Sequence, residues 1–128
     1  MRLAEAEAAL ATLDEAVGKN VRSLLERDGA ILRLVYTFEA VWKGCQHLLA
    51  EREGVIASSP NSTVRAARRV GWLFDEDARG ALQLGRDRNL SVYMYRGEIG
   101  AEIEEHLTSH AALLRRWLEA LKRHAAAE

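Results

Sequence analysis

The side chains best suited to chemistry crowd into one short stretch of this 128-residue chain. Residues 87–96 read DRNLSVYMYR and bring together Asp87, Arg88, Asn89, Ser91, Tyr93, Tyr95 and Arg96. A guanidinium presents a planar fork of donors that suits phosphate or carboxylate. An amide, a hydroxyl and two phenols beside it add donors and acceptors. If the stretch continues a helix, Arg88 shares a face with Ser91 or Val92, and Tyr95 lies one turn further on. Such a helix end is either a binding surface or a solvated terminus whose amphipathic tyrosines pack against neighbours. Residue chemistry leaves both readings open.

The other reactive types point more weakly. The histidines are His47, His106, His110 and His124, and none belongs to an HExxH pattern. His106 and His110 are four apart, so one helix would present both to a single ion, but two ligands do not make a metal site. His110 also falls inside an apolar stripe, where a buried, hydrogen-bonded imidazole is the default. No metal or other cofactor is expected. Cys45 is the only cysteine. It has no partner for a disulfide or a zinc cluster, and on an apolar stripe its ordinary role is that of a small hydrophobe. Trp42 and Trp117 also lie on stripes and read as core. No GxSxG or Gly-rich phosphate loop occurs.

Composition bounds the function classes. With 48% hydrophobic and 29% charged residues the chain can fold, and disorder is excluded. A net charge of −1 gives no global attraction to nucleic acid or membrane, although Arg65, Arg68 and Arg69, or Arg86 with Arg88, could form local basic patches. No apolar run reaches spanning length. The first residues interleave acids with apolar positions, unlike a secretory signal. With the single cysteine, this points to a reducing, cytoplasmic setting.

These residues must be positioned by helices. One Pro and nine Gly in 128 residues leave few breakers. Leu3, Ala6, Leu10, Leu13 and Val17 line one face of a first helix, with a break near Gly18 and Asn20. Ile31, Leu34, Val35, Phe38, Val41, Trp42, Cys45, Leu48 and Leu49 define a second, from Val21 or Arg22 to just before Gly54. In it Glu39 and Lys43 stand four apart in the favourable order. Ser59–Pro60 opens a short third helix that stops at Gly71. Asp75 or Asp77 caps a fourth, carrying Ala81, Leu82, Leu84 and Leu90 toward Ser91. After a turn at YRGE, the last helix runs from Glu98 to His124, with Ile99, Ile103, Leu107, His110, Leu114, Trp117 and Leu121 on one face. No strand period is present. The expected fold is all-α, an antiparallel up-and-down bundle of four to five helices in one domain over residues 1–128, with a frayed tail at 125–128.

The motifs in order resemble a family. RDGAILRLVYTFEAVWKG, then SSPNSTVRAARRVGW, then RDRNLSVYMY is similar to the nucleotidyltransferase substrate-binding proteins, helical domains of the wider HEPN group. The matching residues are Arg33, Thr37, Phe38, Glu39, Trp42 and Lys43; Ser59, Pro60, Arg65 and Gly71; and Arg88, Asn89, Ser91 and Tyr95. The resemblance covers about residues 3–122. It implies a homodimeric helical bundle whose partner is a separate minimal nucleotidyltransferase. In many such pairs the helical protein is a toxin-like RNase and the nucleotidyltransferase its antidote. The RNase motif places a histidine shortly after the Arg, and the tyrosine two residues beyond that histidine is the one modified by some partners. That tyrosine corresponds to Tyr95.

One departure matters. The histidine position holds Tyr93, and a phenol titrating near pH 10 is a poor general base at neutrality. The expectation is a non-catalytic binding subunit, degenerate as an RNase, whose surface uses Arg88, Asn89, Ser91, Tyr93 and Tyr95 with Glu39 and Lys43. Nucleotide or RNA is its expected ligand. The alternatives are a metal-independent RNase using Arg88 with another partner, and a structural bundle with no ligand site.

Overall fold

A computed structural model describes residues 2–126, leaving aside the side chain of Arg2. It contains α1 (Arg2–Val17), α2 (Leu24–Glu53), α3 (Pro60–Arg69), α4 (Asp75–Leu90), a 3₁₀ turn (Ser91–Tyr93) and α5 (Gly97–Ala126). No strand occurs among the described residues, and no helix there is long and apolar enough to cross a membrane. The tail expected to fray is helical through Ala126, and residues 127 and 128 lie outside the described residues.

Local sequence sets most boundaries. Ser23 caps α2, its hydroxyl accepting from the Glu26 amide at 3.1 Å while the Glu26 carboxylate accepts from the Ser23 amide at 2.9 Å. The helix therefore starts at Leu24, slightly later than its apolar pattern suggests. It ends at Gly54, whose φ of 66° is a left-handed conformation that glycine adopts without a Cβ clash. At α3 the Ser59 and Ser62 side chains cap each other's backbone amides around Pro60. The cap expected at Asp75 or Asp77 is instead Phe74, with no side-chain hydrogen bond. Asp75, Glu76 and Asp77 fill the first turn, where their charge favours the positive end of the helix dipole.

Ion pairs and ring contacts fix the helix directions. Glu7 pairs with Lys122 and Asp14 with Arg115, so α1 and α5 run antiparallel. Thr12 meets Tyr36 across α1 and α2, and Leu3 lies 3.2 Å from where a Cβ on Gly44 would stand, so these two are also antiparallel. Asp77 pairs with Arg116 through two guanidinium nitrogens at 2.9 and 3.2 Å, and Asp87 meets His106, so α4 and α5 are antiparallel. In this up-and-down order α2 and α5 become parallel neighbours. Their stripes meet at Phe38 and Trp117, with ring centroids 6.4 Å apart and tilted by 57°. Nearly every stripe residue expected inside is buried, and Val17, Val35, Leu82, Leu90 and Ile99 pack partly buried at its edge. Burial of such side chains at about 1.5–3 kcal/mol each drives the bundle together.

Candidate functional site

Packing of α4 between α2 and α5 divides the DRNLSVYMYR stretch into three environments. Consecutive residues on a helix point about 100° apart, so Asp87 turns to α5 while Arg88 turns to α2.

On the α2 side, Arg88 Nη2 lies 2.5 Å from Glu39 Oε2. This is a close ion pair outside hydrogen-bond alignment, since Glu39 Oε2 is buried and has no aligned donor. The other carboxylate oxygen, Glu39 Oε1, accepts from Trp42 Nε1 at 2.9 Å. Arg88 Nη1 donates to Asn89 Oδ1 at 3.2 Å. Lys43 does not pair with Glu39 as their spacing suggested; its ammonium sits 6.0 Å from the Trp42 ring centroid. Arg88 and Asn89 border a cavity of about 120 Å³ that is also lined by Phe38, Ser59, Asn61 and Gly85. The cavity lies where the start of α3 meets α4. It has room for a phosphate-sized group, and Gly85 keeps its α4 wall free of a side chain.

The 3₁₀ turn changes the third environment. α4 ends at Leu90, so Tyr95 does not continue the Arg88 face. Ser91 is buried and its hydroxyl donates to the Arg88 carbonyl at 2.6 Å, closing the helix end and leaving no free donor for a ligand. Tyr93 lies under the Arg96 guanidinium at 5.7 Å and remains half exposed. Tyr95 is 74% exposed. The structure thus joins Arg88, Asn89 and Glu39, with Lys43 one turn along α2, and sets Tyr93 and Tyr95 apart on the surface. Some arginines of the basic patches expected from sequence are paired: Arg68 with Asp75 at 2.5 Å, and Arg86 approaches Glu102 at 4.0 Å.

On the α5 side lies a group that the spacing of the sequence did not reveal. Asp87 is 1% exposed. Its Oδ2 is 2.7 Å from His106 Nδ1 and 2.7 Å from His110 Nε2, while its Oδ1 is buried without a hydrogen-bond partner. Among the described residues no Lys or Arg pairs with this carboxylate. His110 is buried as its stripe position required. Burial pushes its pKa below the ordinary histidine value, and the Asp87 hydrogen bond and charge only partly restore it, so the ring is neutral near pH 7. His106 is at the margin, its side chain 33% exposed. Asp87, His106 and His110 offer three donor atoms within 4.8 Å of one another. The i, i+4 histidine pair was readable; its third member, 19 residues away from His106, was not.

Comparison with known proteins agrees with this architecture. A crystal structure of a protein from Thermus thermophilus superposes with a TM-score of 0.89 at 45% identity, covering 92% of this chain and 99% of the other. A crystal structure of a mutant MntA–HpeT toxin–antitoxin complex contains a chain that matches with a TM-score of 0.80 over 95% of each chain. At 14% identity that second likeness is one of fold. No curated protein sequence matches significantly. The sequence model of the family described as nucleotidyltransferase substrate binding protein like matches residues 1–123. With that match spanning nearly the whole chain, the protein belongs to the nucleotidyltransferase substrate-binding-protein-like family.

Proposed function

We propose that this chain is the non-catalytic helical subunit that docks a separate minimal nucleotidyltransferase, the toxin-side member of such a pair with a degenerate RNase motif. The observation that carries the reading is the Arg88 site. Arg88 and Asn89 stand at a phosphate-sized cavity, held by Glu39, in a chain that belongs to a family named for binding the substrate of nucleotidyltransferases. A guanidinium held in place by Glu39 loses little freedom when it takes a phosphate oxygen. The group needed for hydrolysis is missing from the position where the family carries it. Tyr93 stands there, stacked with Arg96, and a phenol holds its proton too tightly to act as a base at neutral pH. The toxin–antitoxin chain of the same fold supports the partner class by analogy.

The reading includes a homodimer. Val21, in the segment before α2, and Leu24, Leu25, Leu32 and, partly, Tyr36 on α2 are exposed apolar side chains that a second copy would cover. Tyr95 is open enough for its phenol oxygen to take the nucleotidyl group of a nucleoside triphosphate held by the partner, its O–P bond forming as the bond to the leaving pyrophosphate breaks and the phenol proton is given up. The test is co-expression with a minimal nucleotidyltransferase, co-purification, and incubation with nucleoside triphosphate followed by intact-mass measurement. A stable complex, with a nucleotidyl adduct that Tyr95→Phe abolishes, is the expected result. Failure to associate, or sedimentation as a 14.3 kDa monomer alone, contradicts the proposal. Robust metal-independent RNA cleavage that Arg88→Ala abolishes would instead establish the enzyme reading.

A further inference from the structure

We propose that Asp87, His106 and His110 form a binding site for a zinc-class divalent cation at the contact of α4 with α5. The site is separate from the Arg88 cavity, which lies where the start of α3 meets α4. Three observations carry it together. First, the donor set is two imidazole nitrogens and one carboxylate oxygen, a combination that suits zinc and its neighbours in the first transition row rather than magnesium or calcium. Second, the three donors come from two rigid helices. His106 and His110 lie one turn apart on α5, and Asp87 reaches them from the last turn of α4. Third, the apoprotein leaves the carboxylate incompletely satisfied. Oδ2 takes both imidazoles, Oδ1 has no partner, and no Lys or Arg among the described residues pairs with it. A buried carboxylate is ordinarily paired with a cation or bound to a metal.

The required movement is small. Donor atoms about 2.0–2.2 Å from a tetrahedral zinc lie roughly 3.3–3.5 Å from one another. Both nitrogen-to-oxygen distances are now 2.7 Å. The carboxylate must therefore back away by less than about 1 Å, and the two imidazole nitrogens, now within 4.8 Å of each other, must close by at most about 1.5 Å. Each ring must also carry its proton on the other nitrogen. His106 can turn because its side chain is 33% exposed, and the same opening admits the ion and a water for the fourth position. Occupancy would clamp the last turn of α4, and with it the backbone that carries Arg88.

The experiment is titration of chelator-stripped full-length protein with zinc chloride at mildly alkaline pH, by calorimetry. Cobalt chloride is added separately to read coordination by visible absorption. One zinc per chain at micromolar or tighter affinity is expected, with strong cobalt bands of a tetrahedral site and no binding of magnesium. His106→Ala, at the margin of the core, should fold and lose at least about 100-fold in affinity, because removing even an outer partner of a metal ligand costs about 10–100-fold. Asp87→Asn should lose affinity similarly; if it does not fold, His106→Ala alone carries the test. Absence of saturable zinc binding overturns the proposal. So does binding that His106→Ala leaves unchanged, since it would reside elsewhere, as does magnesium binding of equal strength.

Discussion

Truncating Arg88 should destabilise the fold, and the size of the effect can be worked from its pairing with Glu39. Arg88 Nη2 lies 2.5 Å from Glu39 Oε2, with side-chain exposures of 35% and 23%. A pair this open to water is screened, and exposed pairs contribute about 0–1 kcal/mol. Glu39 Oε2 is itself buried, however, and without Arg88 it would face no cation and no aligned donor. An abandoned buried polar group costs about 1–3 kcal/mol. The intermediate geometry places Arg88→Ala at about 1–2 kcal/mol. With an unfolding entropy near 2.1 cal/mol/K per residue, a chain of this length shifts its Tm by about 4 °C per kcal/mol, so the fall should be roughly 4–8 °C. Glu39→Gln should cost less, about 1 kcal/mol or below, because Oε1 can still accept from Trp42 Nε1 while the charge disappears. A double-mutant cycle from thermal melts at neutral pH should give a coupling of about 1 kcal/mol that shrinks at high salt. Phosphate binding should be lost in Arg88→Ala and weakened to a smaller degree in Glu39→Gln, which releases the guanidinium that Glu39 holds in place. An Arg88→Ala melt within about 1 °C of wild type, or zero coupling, would refute the reasoning and leave Arg88 a solvated charge.

Other perturbations test the scaffold. Trp117→Ala removes a fully buried ring that meets Phe38 and should cost about 3–5 kcal/mol, measured by denaturant unfolding. Gly100→Ala should destabilise the start of α5, because its Cβ would stand 2.6 Å from Arg27 Nη2 and 2.9 Å from the Met94 carbonyl. The arginine can swing away but the backbone cannot, so hydrogen exchange should rise first around Tyr93–Gly97. Burial pushes the Cys45 thiol up to about 12 from an ordinary value of 9.0. Its folded pKa exceeds the unfolded one, so the associated stability is complete below pH 9 and is lost as pH rises from there toward 12. The alkaline fall in stability should be shallower in Cys45→Ala, and thiol reagents at about pH 8 should modify the native protein only through unfolding.

The apolar stripes, the Ser59–Pro60 start and the Gly54 stop could be read directly from the chain, because each depends on local physics. Burial selects residues at helical spacing, a hydroxyl reaches an amide three residues on, and glycine alone bears a positive φ without cost. The Arg88 neighbourhood was visible only as a list of residue types. Whether Glu39 would turn to Lys43 on its own helix or to Arg88 across the bundle depended on how α4 docks against α2. Tyr95 left the Arg88 face because α4 ends at Leu90 and the Ser91 hydroxyl closes its last turn. Asp87 shows the limit most sharply. Nothing near it in the chain marks it as a partner of histidines 19 and 23 residues away. Only the antiparallel packing of α4 on α5, which depends on the summed burial of many side chains, carries its carboxylate to both rings. Secondary structure was therefore written in local spacing, whereas the pairing of charged and metal-binding groups was decided by helices meeting in three dimensions.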